Sequence, residues 1–370
     1  MTDICIGHGG DVSSPSGGTD RVTALASGLQ ERGIDVTLVV PEPSGSVSDR
    51  LENVAIHSVS VDGVGDISFV RAAKIAREAD RVADRENARL QIEHSTLAGV
   101  ATLVGVSDYV LDMHDLGYAR FDHLQHPLSP VLKRGVRWLE RRSVRSAADI
   151  IVVSEYMQSA LENWGIDSEQ VTVVPNGFFP ERIESAVDLE TVEGRVCFLG
   201  TLHPKVDIEA FQEIASLSNV SEMVVIGDGA QRDSVESLAE NNAAIRVMGR
   251  LPDKEAFELL GSAAVAINPQ TQSELQRSSS PVKLYYYAAL GLPMVVTSGP
   301  SVVDRLVEND SAVTAERGKV ADTVEGLLED DSRRNELGSN AREAAQEFRW
   351  DRRIDTIERV YADLINQVQS

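Results

Sequence analysis

Ser280-Pro281-Val282-Lys283-Leu284-Tyr285-Tyr286-Tyr287-Ala288-Ala289-Leu290-Gly291-Leu292-Pro293, running straight into Met294-Val295-Val296, decides how this chain is read. Proline suits the first turn of a helix, where its missing N–H has no partner to lose. Gly291 ends the helical run, and Pro293 prevents its continuation. A helix that feeds an apolar strand in this way belongs to an open α/β sheet, where it can border the ligand crevice. Two features exceed the needs of a connector. Lys283 sits in the first turn, and three consecutive phenols stand where a soluble helix normally carries alanine, glutamate or lysine.

Outward from this stretch, short apolar runs alternate with longer helical ones, the mark of parallel sheets with crossover helices. Before it, strands are predicted at 195–199, 223–226, 245–248 and 265–268, with helices at 208–218, 232–240 and 254–263. After it come a strand at 295–297 and two terminal helices, the last aligning Trp350, Ile354, Ile357, Tyr361 and Leu364 in one stripe. The first half follows the same rule, with strands near 4–6, 35–40, 109–113, 150–154 and 171–174. Its helices fall at 20–32, 69–88 and 130–148. Residues 178–194 are acidic and without period, and read as the connection between halves. The pattern predicts an α/β chain of two Rossmann-like, doubly wound parallel-sheet domains facing a central cleft. Their expected bounds are 1–178 and 195–345, with a helix at 346–370 packing back toward the first domain.

Composition narrows the function. A chain of 370 residues exceeds one ordinary core. The net charge of −23 is scattered, and only six of the 35 basic residues are lysine. An acidic, arginine-rich surface suits a salt-rich cytosol that screens self-repulsion, so a halophilic, haloarchaeal source is expected. It argues against nucleic-acid binding, which wants a basic face. Cys5 and Cys197 sit in apolar runs and read as core residues, with no disulfide framework or zinc site. The early first strand leaves no room for a signal peptide, and the uncharged run Ser95 to Ser107 is too short to span a bilayer. A cytoplasmic protein, at most peripheral at the inner face of the membrane, is expected.

Several modest motifs occur in a telling order. They are Gly17-Gly18-Thr19-Asp20-Arg21-Val22, His114-Asp115 at a strand end, Val153-Ser154-Glu155-Tyr156, and Val174-Pro175-Asn176-Gly177. Phe198-Leu199-Gly200 with Lys205, Ile226-Gly227-Asp228-Gly229, Gly249-Arg250-Leu251 and the opening stretch complete the series. In this order the chain resembles the GT-B glycosyltransferases of the large retaining family (glycosyl transferases group 1, family 4-like). That resemblance implies transfer of a sugar from a nucleotide-sugar, UDP- or GDP-linked, to a glycan, lipid-linked or polyprenyl-phosphate acceptor. It implies no resident cofactor and no metal, in keeping with the absence of Asp-x-Asp from the sequence.

The residues that the resemblance implicates are these. His114 would contact the donor sugar, and Lys205 would grip the diphosphate as its charge grows. Gly17, Gly18 and Thr19 open a helix whose free N–H groups meet phosphate or hydroxyl. Thr201, Gly227, Gly229, Arg250, Lys283 and Tyr286 would complete the donor site. The chain departs from the family pattern in three places. Thr201 stands where an arginine is usual, with Lys283 a partial replacement. Ser278 and Tyr286 occupy the two positions where the family carries glutamates eight residues apart. These departures leave open a catalytically inactive subunit or sugar-binding partner and, further off, a sugar-nucleotide epimerase.

One helix is a local exception in so acidic a chain. Lys133, Arg134, Arg137, Arg141, Arg142 and Arg145 gather along 133–145, with Arg134, Arg137, Arg141 and Arg145 expected on one face. Its alternatives are a docking site for anionic lipid or a polyprenyl-phosphate acceptor, and an ordinary ion-paired surface.

Overall fold

The computed structural model describes residues 3–14, 16–61, 68–123 and 126–369. They pack as two compact units. The first comprises the described residues of Met1–Asn176 with Ser278–Ser280 and Trp350–Ser370, and the second Gly177–Arg277 with Pro281–Arg349.

The first unit is built on a parallel sheet of β1 (Ile4–Gly7), β2 (Val36–Pro41), β3 (Ala55–Val59), β4 (Arg89–Glu93), β5 (Tyr109–Met113), β6 (Ala147–Val152) and β7 (Val171–Val173). Their spatial order is β3-β2-β1-β4-β5-β6-β7. Strands such as β1 and β5 are buried along their whole length, as expected when helices cover both faces. The order reverses between β1 and β4, the place where doubly wound sheets open a crevice at their carboxyl ends. Neither β3 nor β4 is among the strands predicted from sequence. β3 is a half-exposed edge strand, and β4 is Arg-Leu-Gln-Ile-Glu, too polar to read as a core strand.

The helix Gly17–Glu31 follows β1, its first turn capped by Ser16 Oγ, which accepts from Thr19 N. Gly28 on this helix lets the last helix, Trp350–Gln369, lie close, since a Cβ there would strike Ile354. Trp350, Ile354, Ile357 and Tyr361 are all buried, so the apolar stripe is a packing face; the side chain of Leu364 lies outside the described residues.

The second unit carries β8 (Val192–Leu199), β9 (Glu222–Ile226), β10 (Ile245–Gly249), β11 (Ala263–Asn268), β12 (Met294–Val296) and β13 (Val313–Thr314), all parallel in the order β10-β9-β8-β11-β12-β13. Four helices, not two, follow β12, and β13 lies between the first two of them. Short 3₁₀ turns at Pro180–Arg182 and Glu184–Ala186 give residues 178–194 more structure than their lack of period suggested.

The tyrosine helix, Val282–Ala289, lies where the sequence placed it, and its three phenols are core residues. Tyr285 meets Phe348 edge to face at 5.2 Å, and Tyr286 lies 4.6 Å from Phe257. Tyr287 does something different. The ladder between β8 and β11 reaches Ala266 opposite Cys197, and just beyond it the Tyr287 hydroxyl accepts from Leu199 N (2.9 Å) and donates to Ile267 O (3.2 Å). The phenol thus closes two main-chain groups where the sheet order reverses.

Candidate functional site

Three adjacent strands of the first sheet end in histidine. His8 follows β1, His94 follows β4 and His114 follows β5. The rings of His94 and His114 lie 5.1 Å apart, and His94 holds a left-handed backbone (φ 75°), uncommon outside glycine. Only His114 was anticipated. The signal for the others was present in Gly7-His8-Gly9 and Ile92-Glu93-His94, but it surfaces only once β4 is seen to lie between β1 and β5.

Behind the imidazoles runs a buried polar network. Arg21, from the first helix, donates through Nε and Nη2 to the two oxygens of Asp112 at 2.8 and 2.9 Å. Its Nη1 reaches Val174 O (3.0 Å) and Asn176 Oδ1 (3.2 Å). Beside it, Tyr361 donates to Gln91 Oε1, Gln91 donates to Glu93 Oε1, and Glu93 Oε2 lies 2.7 Å from His114 Nε2. Burial, reinforced by the charge of Asp112, pushes the Glu93 carboxyl up to about 8. Burial also pushes His8, His94 and His114 down to about 4 each. Glu93 thus meets His114 at Nε2, and the ring's other nitrogen is Nδ1. That nitrogen would lie 3.6 Å from a Cβ at Gly18, so the wall of the site includes the start of the Gly17–Glu31 helix.

This wall is polar and nearly neutral. Arg120 holds Asp115 (2.7 Å) and meets His94 Nε2 at 3.1 Å. Burial works to raise the Asp115 carboxyl, and the Arg120 charge overrides it and holds it below its ordinary value. Among the described residues, His8 Nδ1 and His94 Nδ1 are buried without a hydrogen-bond partner. Such atoms can be met by water or by a ligand hydroxyl. Glu93, Asp112 and His114 also stand close enough to share a metal ion. The set does not fit one, because both Asp112 oxygens already carry the Arg21 guanidinium.

The second unit brings Lys283 near Lys205. Lys283, in the first turn of the tyrosine helix, extends over the Phe198 ring, its Nζ 3.8 Å from the centroid. It also runs along Gly200, where a Cβ would lie 2.8 Å from Nζ. Burial, with the nearby charge of Lys205, drives the Lys283 ammonium well below its ordinary value. No carboxylate among the described residues pairs with it. The Lys205 backbone is held by Thr271, whose N and Oγ1 both donate to Lys205 O.

The other anticipated residues divide. Thr201 and Arg250 are exposed, at the ends of β8 and β10. Gly227 and Gly229 are explained by backbone packing, since a Cβ at Gly227 would collide with Gly200 O and one at Gly229 would lie 2.8 Å from Leu202 N. Tyr286 is built into the core. It is 3% exposed, and its hydroxyl accepts from Arg182 Nη1 at 3.0 Å while Arg182 also holds Asp253. Ser278 is buried as well, its Oγ accepting from Leu116 N within the first unit.

Known proteins show the same architecture. Residues 16–177 match the glycosyl transferase 4-like domain, and residues 193–330 match the glycosyl transferases group 1 domain. The chain is 28% identical over 264 residues to 2-deoxystreptamine glucosyltransferase of Streptomyces kanamyceticus, covering 63% of this chain and 65% of that protein. It is 27% identical over 252 residues to D-inositol 3-phosphate glycosyltransferase of Corynebacterium aurimucosum, covering 59% and 58%. The match thus spans less than two thirds of these relatives' length. Among solved structures, sucrose-phosphate synthase from Thermosynechococcus elongatus superposes with a TM-score of 0.83 at 15% identity, over 99% of this chain and 100% of that one. Anabaena HepE in complex with UDP-glucose gives 0.74 at 16% identity, over 98% and 100%. Two such domains in this order, on two parallel sheets whose strand orders reverse at β1/β4 and β8/β11, make the chain a member of the group 1 glycosyltransferases of GT-B fold.

Proposed function

We propose that this glycosyltransferase moves a sugar from a nucleoside-diphosphate donor to a hydroxyl of a glycan, lipid-linked or polyprenyl-phosphate acceptor. The observation that carries the reading is Lys283, a half-buried lysine beside Lys205 and without a carboxylate partner among the described residues. A charge held that way is costly until an anion meets it. A diphosphate supplies that anion. The bond from sugar C1 to the phosphate oxygen breaks, the acceptor oxygen bonds to C1, and the acceptor proton leaves to solvent or to the departing diphosphate. Lys205 and Lys283 offset the charge gathering on that diphosphate, which is the reason to expect turnover without a metal. The neutral wall of His8, His94 and His114 suits the sugar hydroxyls. Retention at C1 is proposed from the family resemblance.

The donor base is read by thermal shift with UDP, GDP and ADP, at the high salt that the acidic composition calls for. Lys205→Ala is expected to cut turnover at least ~100-fold, the scale of one electrostatic donor. Near-normal turnover would remove the assignment. EDTA is expected to leave the rate unchanged, and the anomer of the product, read by NMR, tests retention.

A second reading has its own support. The two positions where the resemblance expects glutamates hold Ser278 and Tyr286, both built into packing. A sugar-binding subunit without turnover fits that fact. Slow hydrolysis of any nucleotide-sugar by the purified protein decides for the enzyme.

No helix among the described residues is long and apolar enough to cross a membrane. We propose a cytoplasmic protein, at most peripheral at the inner face of the membrane, where a lipid-linked acceptor would be met.

A further inference from the structure

Among the described residues, the helix Ser129–Ser146 leaves its arginines without acids. Elsewhere arginines such as Arg21, Arg89, Arg195, Arg333 and Arg342 each hold a carboxylate. On this helix Lys133 alone does so, with Asp122. Among the described residues, Arg134, Arg137, Arg141, Arg142 and Arg145 are within salt-bridge reach of no carboxylate, in a chain with 58 acidic residues. Arg137 and Arg141 instead stack on Tyr118 (5.0 Å) and Trp164 (5.3 Å), Arg142 lies over Trp138 (5.9 Å), and Arg145 donates to Trp164 O. The ion-paired surface that the sequence left open is therefore not what forms.

The single acid of the helix, Glu140, is turned inward. It accepts from Ser95 Oγ at 2.6 Å, Gly117 N at 2.7 Å and Tyr118 N at 3.3 Å, which pins the inner face. The outward face is set by spacing. Residues 131, 134, 138, 142 and 145 follow one another at three- and four-residue steps and share one side. They are Val131, Arg134, Trp138, Arg142 and Arg145, a different stripe from the all-arginine one expected. Val131 is 64% exposed and Trp138 54%, and Leu128 and Leu132 extend the apolar part beside them. A tryptophan and aliphatic groups among guanidiniums, lying along one face, have the chemistry of a helix that rests in the plane of a bilayer interface. Trp138 would sit at headgroup depth, and the arginines would meet lipid phosphates bidentately.

We infer that the outward face of Ser129–Ser146 docks the protein on an anionic lipid surface. This deepens the proposed function by naming where a lipid-linked acceptor is met, but it is measured without donor or turnover. Salt screening weakens the arginine contribution, while the exposed Trp138 and Val131 supply a part that salt does not remove.

Flotation of the purified full chain with phosphatidylglycerol/phosphatidylcholine vesicles, against pure phosphatidylcholine, tests the inference. Binding is expected to the anionic vesicles only. The triple variant Arg134→Gln/Arg142→Gln/Arg145→Gln is expected to weaken it ~100-fold, at about tenfold or less per arginine near the surface. The matching triple change to lysine should retain most of it, and Trp138→Ser should lose ~10-fold. Thermal melts check that each variant is folded. Absence of binding by the wild-type chain, equal binding to neutral vesicles, or an unaffected glutamine triple would overturn the inference. So would concentration-dependent dimerisation abolished by Trp138→Ser, which would assign the face to a second copy. Vesicle binding without sugar transfer would leave this inference standing and remove the proposed activity.

Discussion

Arg21 and Asp112 form a two-pronged ion pair whose side chains are both fully buried, joining the first helix to the centre of the first sheet. Arg21 spends its remaining donor, Nη1, on Val174 O and Asn176 Oδ1, so the pair also fixes the chain leaving β7. Removing one partner leaves the other charge buried and uncompensated. Asp112→Asn is expected to cost about 3–5 kcal/mol in denaturant melts. A loss below about 1 kcal/mol would mean that water or another carboxylate already serves Arg21.

Glu93 gives a pH signature of known sign. Its carboxyl is raised from 4.5 to about 8, first by burial and then by Asp112, and it also faces His8, Arg21 and Gln91. An acid that holds its proton more tightly when folded contributes stability at low pH. That contribution fades as pH rises from 4.5 through about 8. Glu93→Gln removes the titration and keeps a donor toward His114 Nε2. The variant should therefore gain on the wild type as pH is raised through this window, in paired thermal melts. A difference independent of pH would show that Glu93 is already ionised.

Lys283→Met should separate stability from binding. The ammonium lies over Phe198 with no acid among the described residues, so an apolar side chain of similar length should hold or raise the melting temperature of the ligand-free protein. Affinity for a nucleoside diphosphate should fall ~100-fold, measured by calorimetry. Unchanged affinity would move the diphosphate away from this lysine.

Tyr287→Phe deletes one oxygen and strands two main-chain groups, Leu199 N–H and Ile267 C=O, that it alone bridges here. A loss of about 1–3 kcal/mol is expected. The same deletion at Tyr286 should cost less, because Arg182 retains its two bonds to Asp253. Equal costs would contradict this account of the reversal between β8 and β11.

Local pattern made much of this chain legible. Proline and glycine bracket the tyrosine helix, and apolar runs mark β1, β5, β8 and β11. β4 escaped because Gln91 and Glu93 look like surface residues, and their partners lie far along the chain, at Tyr361 and His114. A buried polar strand is stable only through such distant partners, which no local window contains. The same distance hid His8 and His94, and it made Tyr286 look like a ligand contact when its position decides that it packs. Lys283 was legible for a simpler reason, since lysine is so scarce here that each one stands out.

The contact between Gly200 and Gly227 has a consequence for anyone altering this protein. The loops after β8 and β9 touch main chain to main chain, both residues in left-handed conformation (φ 134° and 138°), with no room for a methyl group at Gly227. A side chain at Gly227 would push the two loops apart, so they are expected to change together. A chimera that transplants only one of them from a relative should fail to express, whereas one that carries both should be recoverable.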